Sequence, residues 1–199
     1  MTAPGSHFER GASPVASPTP AARFSGQLSM HEPPPIIITA ALDETAFAFF
    51  NDLRRAHFPA HRNHIPAHLT LFHALPGEHE ARVVEVLRAH CQERASIFMR
   101  VTRPWSLGRG VAYGLAAPAL ADLRTDAAAA FAPWLTAQDR APFRPHITIQ
   151  NKADPTDARR LLEILDAAFE PFEIEAVGLL AWRYLGGPWE KLAHIPFKT

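Results

Sequence analysis

From residue 36 onward the chain alternates short apolar runs with longer segments whose apolar residues recur every three or four positions. "IIITAAL" (36–42) is β-branched, short and preceded by three prolines, which predicts a buried strand. Asp43 then offers an N-cap, and Ala46, Phe49, Phe50 and Leu53 mark one face of a helix running toward His57. "HLTLFHAL" (68–75) returns to strand character and ends at Pro76-Gly77. Over 78–94, Val83, Val84, Leu87 and Cys91 form one helical stripe. "SIFMRVTRPW" and "GVAYGLAA" then predict two strands joined by a turn containing glycine.

The same order follows again. A helix from about Pro118 carries Leu120, Leu123, Ala127, Phe131 and Trp134, with proline at the permitted first turn. "RPHITIQ" (144–150) is the next strand, and 154–169 the next amphipathic helix, capped by Asp154. "FEIEAVGLLAWRYL" and "WEKLAHIPF" close the chain as two strands linked by "GGP". Strand, helix, strand, helix, strand thus occurs twice. The expectation is an α+β fold of two pseudo-symmetric lobes, each a small, mostly antiparallel sheet with flanking helices, around a central groove.

Composition changes this picture at the N-terminus. Seven of the nineteen prolines fall in the first 35 residues, among Ser, Ala and Gly, a mixture too poor in apolar surface to offset its ordering entropy. Residues 1–35 are therefore expected to be a disordered leader and 36–199 the folded domain. Twenty basic and twenty acidic residues leave no net charge, which excludes the strong basic surplus of a protein that coats long nucleic acid. No apolar run approaches the ~20 residues needed to span a bilayer, and the start lacks the apolar core of a secretory signal. With Cys91 the single cysteine, on the apolar side of a helix, the chain is expected to be a cytoplasmic monomer with no membrane association.

The chemistry lies in a repeat. "PAHLTLFHA" (66–74) and "RPHITIQNK" (144–152) both place His-apolar-Thr-apolar in a strand shortly after a proline. Residues i and i+2 of a strand share a face roughly 6 to 7 Å apart. His68 and Thr70 therefore look one way, as do Arg144, His146 and Thr148, while Leu69, Leu71, Ile147 and Ile149 face the core. Two imidazoles across a groove suit proton transfer at both ends of a phosphodiester displacement, one as base and one as acid. The threonine hydroxyls can donate to the non-bridging oxygens, and Arg144 can add a charge-assisted contact. The scheme requires no cofactor and no metal.

The pair "HLTL" and "HITI", about 80 residues apart in a chain of about 200, resembles the two-histidine (2H) phosphoesterase superfamily. "FRPHITIQNK" and "LAWRYLGGPWEKLAHIPF" are most similar to its bacterial 2'-5' RNA ligase-like branch. The resemblance covers about Ile36 to Phe197, and the leader has no place in it. It implies a metal-independent phosphodiesterase or ligase whose partner is a nucleotide or RNA terminus carrying a 2',3'-cyclic phosphate or a 2'-5' linkage. His68 and His146 match the family's catalytic pair, and Thr70 and Thr148 its phosphate-binding hydroxyls. Balanced charge favours short oligonucleotides or mononucleotides. Which histidine is the acid, and whether the reaction is hydrolysis or ligation, stay open. Two alternatives also stand: a non-catalytic module of the same fold that binds nucleotides or RNA ends, and a metal-dependent hydrolase using the histidines between 57 and 68.

Other residues carry weaker signals. His57, His61, His64 and His68 lie at spacings of three and four, but Pro59 and Pro66 break any helix that would gather them, so a solvated loop is expected. Simple alternation puts His73 on the face opposite His68. Tyr113 is a candidate for stacking on a base from a groove-lining strand. Trp182 and Tyr184 are expected to pack, with Arg183 the candidate for substrate contact. Lys152 is expected in a solvent-facing loop, and the Arg pairs at 54–55 and 159–160 on the wet faces of helices.

Overall fold

The computed structural model describes residues 33–198. The proline-rich leader, apart from Pro33–Pro35, falls outside the described residues. Seven strands form one antiparallel sheet: β1 (Ile36–Leu42), β2 (Leu69–Leu75), β3 (Ile97–Ser106), β4 (Val111–Ala116), β5 (His146–Gln150), β6 (Glu173–Tyr184) and β7 (Trp189–Pro196). Five helices accompany them among the described residues: α1 (Glu44–His57), α2 (Glu80–Cys91), α3 (Pro118–Ala130), the single turn α4 (Ala137–Arg140) and α5 (Pro155–Ala167). The mixed helix and antiparallel-sheet class expected from the sequence is the one found. No helix among the described residues is long and apolar enough to cross a membrane.

The strand order is β2-β1-β6-β3-β4-β5. The twelve-residue β6, from the second run of the repeat, lies between β1 and β3 of the first. Its first residues, Glu173–Ala176, pair with β3, and its later ones, Gly178–Tyr184, pair with β7. The strands of the two runs are thus interleaved in one continuous sheet, and not divided into the separate small sheet per lobe expected from the sequence. β2 and β5 end the order, yet they contact each other, which means that the sheet curls until its two edges meet. Those edges carry the two His-Thr motifs.

Pairing across strands defines two faces. Ile36, Ile38, Ala40, Leu69, Leu179, Ala181 and Ile195 point into the buried core, which also takes in Phe50, Phe72, Tyr113 and Phe131. The alternate positions Thr39, Thr70, Leu180 and His194 lie across from one another on the groove face. α1 is anchored by Asp43, whose one carboxylate oxygen accepts from Ala46 N–H and the other from Glu175 N–H, both at 2.8 Å. The cap therefore also fixes the helix to β6. On α1 the buried stripe is Ala46, Phe50 and Arg54, rotated from the one expected, with Phe49 exposed.

Candidate active site

His68 sits immediately before β2, after a turn containing Pro66. Its Nδ1 lies 2.8 Å from the carbonyl oxygen of Pro66. A carbonyl only accepts, so Nδ1 carries the proton and Nε2 of the neutral ring keeps its lone pair. The second motif repeats the device: Nδ1 of His146 lies 2.7 Å from the carbonyl of Arg144. In both copies the tether goes to the residue two positions upstream, and a proline at 66 or 145 holds the backbone extended there. Each imidazole is locked in one tautomer with its reactive nitrogen free.

Electrostatics at the first motif follow from its setting. Burial holds the His68 imidazole well below its ordinary value, at about 4, partly offset by the bond to Pro66. Positive charge on Arg54 depresses it further, as does charge on His146 or His73 when either carries it. A cavity of about 240 Å³ is lined by both His68 and Thr148, one residue from each motif, together with Arg54, Arg62, Asn151 and Lys152. Thr70 lies opposite Thr39 on the groove face, and Thr39 accepts a hydrogen bond from Trp182 Nε1 at 2.9 Å. Each motif histidine also borders a tryptophan. Trp189 is 4.9 Å from His68, and Trp105 meets His146 edge-on at 5.6 Å, both between ring centroids.

Arg54 joins the two motifs. It is 3% exposed, and its guanidinium donates to the carbonyl of Thr148 at 2.8 Å, to the Asn63 side chain at 3.0 Å and to the carbonyl of Ile65 at 3.0 Å. No carboxylate pairs with it among the described residues, and burial lowers its pKa to about 10. Its Nε is buried with no partner among those residues. The expectation of a wet helix face fails for this residue because the buried stripe of α1 continues Ala46, Phe50, Arg54 at intervals of four. Arg55 does face solvent, paired with Asp52.

β2 departs from simple alternation. Its register with β1 runs Thr39 to Thr70, Ile38 to Phe72 and Ile36 to Leu75, so two irregularities interrupt the ladder. Leu71 and Phe72 are both buried as a result, and His73 returns to the groove side. The expectation that His73 faces away from His68 is thereby corrected. Its Nδ1 bonds the carboxylate of Asp139 at 2.9 Å, and that carboxylate, fully buried, also accepts from the backbone N–H groups of His73 and Ala74.

Residues 42–188 match the 2'-5' RNA ligase superfamily. The chain belongs to that superfamily. Its fold is similar to that of TT0787 of Thermus thermophilus (TM-score 0.58, 18% identity, 82% of this chain and 97% of that one). It is similar also to E. coli LigT complexed with 3'-AMP (TM-score 0.55, 17% identity, 84% of this chain and 100% of that one) and to LigT complexed with ATP (TM-score 0.51, 19% identity, 84% and 99%). No curated protein matches the chain.

Within this superfamily fold the remaining candidates separate clearly. Tyr113 pairs with Ile147, so it points into the core, 4% exposed and against Phe50 and Phe169. The stacking role expected of it is ruled out by that register; Gly114, not Tyr113, lies opposite His146. The Arg144 side chain lines a separate recess with Thr102, Trp105 and Gly114, apart from the cavity that holds His68 and Thr148. Arg183 is engaged by Glu80 at 2.8 Å and Glu190 at 3.1 Å, a brace between β6, α2 and β7. Trp182 lines an apolar cavity of about 300 Å³ beside His68 instead of packing inward. Cys91 is buried, its thiol pushed up to about 12. Among the described residues no three His, Cys, Asp or Glu side chains gather as a metal ion would need.

Proposed function

We propose that this superfamily member is a phosphodiesterase that works without a metal on 2',3'-cyclic phosphates or 2'-5' linkages at nucleotide or RNA ends, as a cytoplasmic monomer. The observation that carries the reading is the paired tether. Both motif histidines spend Nδ1–H on the carbonyl two residues upstream and keep Nε2 for a reacting group. In hydrolysis of a cyclic phosphate, one Nε2 takes a proton from water as its oxygen bonds to phosphorus. The other, entering the step as an imidazolium with its second proton on Nε2, donates that proton to the departing ribose oxygen as the P–O bond breaks, leaving a phosphate monoester. His68, unprotonated near neutral pH in the free protein, is the ready acceptor. Thr70 and Thr148 donate to the non-bridging oxygens, where negative charge accumulates. LigT structures with 3'-AMP and ATP support a nucleotide ligand for this fold.

The test is hydrolysis of 2',3'-cyclic nucleotides and of a short RNA ending in cyclic phosphate, with excess EDTA present. Native chain, His68→Ala and His146→Ala are compared. Turnover that persists in EDTA and falls by about 10²- to 10⁴-fold in each variant is expected. Saturable nucleotide binding without turnover, retained in both variants, would replace this reading with a binding module.

A further inference from the structure

Beside the cavity that holds His68 and Thr148 lies a second recess of about 430 Å³, and the two share Arg62, Ile65 and Lys152. Its lining includes four cationic or imidazole side chains: Arg62, His64, His73 and Lys152. Among the described residues no acidic side chain lines either space, although the chain as a whole is neutral. Arg62 and Lys152 have no carboxylate partner among the described residues, whereas Arg183, on the strand that borders the same recess, is held by two. Two cations lining the same recess without a carboxylate mark a place for an anion.

Two features of the backbone and two aromatic side chains build this recess. The irregular register of β2 brings His73 into it, and buried Asp139 holds that imidazole by Nδ1, leaving Nε2 directed away from the carboxylate. Lys152 adopts a left-handed conformation with φ of 56°, the one such non-glycine residue among those described, with its N–H held by the Asn151 side chain at 2.8 Å. Such a conformation persists in a long side chain only where its surroundings fix it, and strain of this kind concentrates at ligand sites. Trp189 and Tyr184 supply a flat apolar margin.

We propose that Arg62, His73 and Lys152 form a second anion subsite that takes a phosphate one linkage from the reacting phosphorus. The preferred substrate is then an oligonucleotide end, or a nucleotide with a second phosphate, and not a bare cyclic mononucleotide. This rests on the phosphodiesterase reading above. Terminal monoester and internucleotide diester present the same anionic oxygens, and the test separates them.

Three substrates are compared: adenosine 2',3'-cyclic phosphate, its 5'-phosphorylated form, and a dinucleotide ending in 2',3'-cyclic phosphate. Each is assayed with the native chain and with the Arg62→Gln/Lys152→Gln double variant. Native protein is expected to favour one or both second-phosphate substrates by about tenfold or more in kcat/KM. The double variant loses that preference, and rising salt erodes it in the native chain. A preference confined to the dinucleotide identifies the internucleotide phosphate, and one confined to the 5'-phosphate form the terminal one. An equal preference in native and variant chains, or none in the native chain, overturns the subsite. If no substrate is turned over, calorimetric binding of the three ligands to both chains gives the same comparison without catalysis. Tighter native binding of a second-phosphate ligand, lost in the variant, then supports the subsite even though the phosphodiesterase reading fails.

Discussion

Arg54 on α1 donates a hydrogen bond of 2.8 Å to the carbonyl of Thr148 on β5, ninety-four residues away, and with its other terminal nitrogen holds Asn63 and Ile65 in the segment that leads to His68. One buried guanidinium therefore touches the backbone of the second motif and of the segment that leads into the first. The edges of a curled sheet have no ladder between them to fix their separation. Here a side chain from a helix sets it. The same charge helps to keep His68 unprotonated, so geometry and proton affinity at the first motif depend on one residue.

Replacing Arg54 with Ala leaves two backbone carbonyls and the Asn63 amide oxygen without a donor. Each unsatisfied buried group costs about 1–3 kcal/mol, and a loss of roughly 3 kcal/mol in urea unfolding is expected, with turnover falling by about 10²-fold or more. Arg54→Lys separates charge from geometry. A single ammonium keeps the charge but cannot reproduce a planar fork reaching three acceptors, so most of both losses is expected to remain. Recovery of native activity in Arg54→Lys would show that charge alone mattered.

Stability should also depend on pH through His68. Its folded value, about 4, lies below the ~6.5 of an unfolded chain, so between those values the unfolded state binds the extra proton. The stabilising contribution of an unprotonated His68 is present above pH ~6.5 and is lost as pH falls toward 4. His68→Gln should flatten the slope of unfolding free energy against pH in that window while leaving other titrations in place. An unchanged slope would mean that the ring is not desolvated in solution.

Much of this is legible in the sequence, and for identifiable reasons. The strands and long helices follow from apolar periodicity, which burial enforces at every turn, and the two His-Thr copies can be paired because strand alternation is strict at those positions. Sequence reasoning fails where alternation or a helical stripe is broken by a particular contact. Irregular pairing in β2 reverses the facing of His73, and no residue type in "LTLFHAL" announces it. Arg54 reads as polar, so a stripe that ends in a buried arginine passes for a wet face. The spacing Ala46, Phe50, Arg54 is the available signal. Tyr113 passes for a groove residue although its β4 neighbours Val111 and Leu115 share its parity and are buried, a pattern already visible in "VAYGL". The partners of His73 and Arg54, Asp139 and Thr148, lie 66 and 94 positions away, beyond any local pattern.

The two threonines should differ from the histidines in kinetic signature. If their hydroxyls meet oxygens that gain charge only as phosphorus is attacked, removing them lowers kcat more than it raises KM. Thr70→Val and Thr148→Val keep the side-chain shape and are each expected to lower kcat by about 10- to 10³-fold on a cyclic nucleotide. An increase in KM at constant kcat would instead assign the hydroxyls to ground-state binding.

Gly108 and Gly110, two residues apart in the turn between β3 and β4, are glycine for different reasons, and the difference can be measured. Gly108 has φ of 78° with open space where a Cβ would go, so Gly108→Ala meets only the strain of a left-handed backbone, on the order of 1 kcal/mol. A Cβ on Gly110 would lie 1.9 Å from the carbonyl oxygen of Gln150 and 2.6 Å from its carbonyl carbon. Both are backbone atoms, so no side-chain rotation relieves the clash. Gln150 ends the strand that carries His146 and Thr148, and its partner is Val111, the residue after Gly110. Gly110→Ala must therefore part β4 from β5 at the second motif, and a loss of about 3 kcal/mol or more in denaturant unfolding is expected. Turnover should fall in Gly110→Ala and stay near native in Gly108→Ala. Equal effects from the two would mean that the turn, and not the strand bearing His146, governs the site.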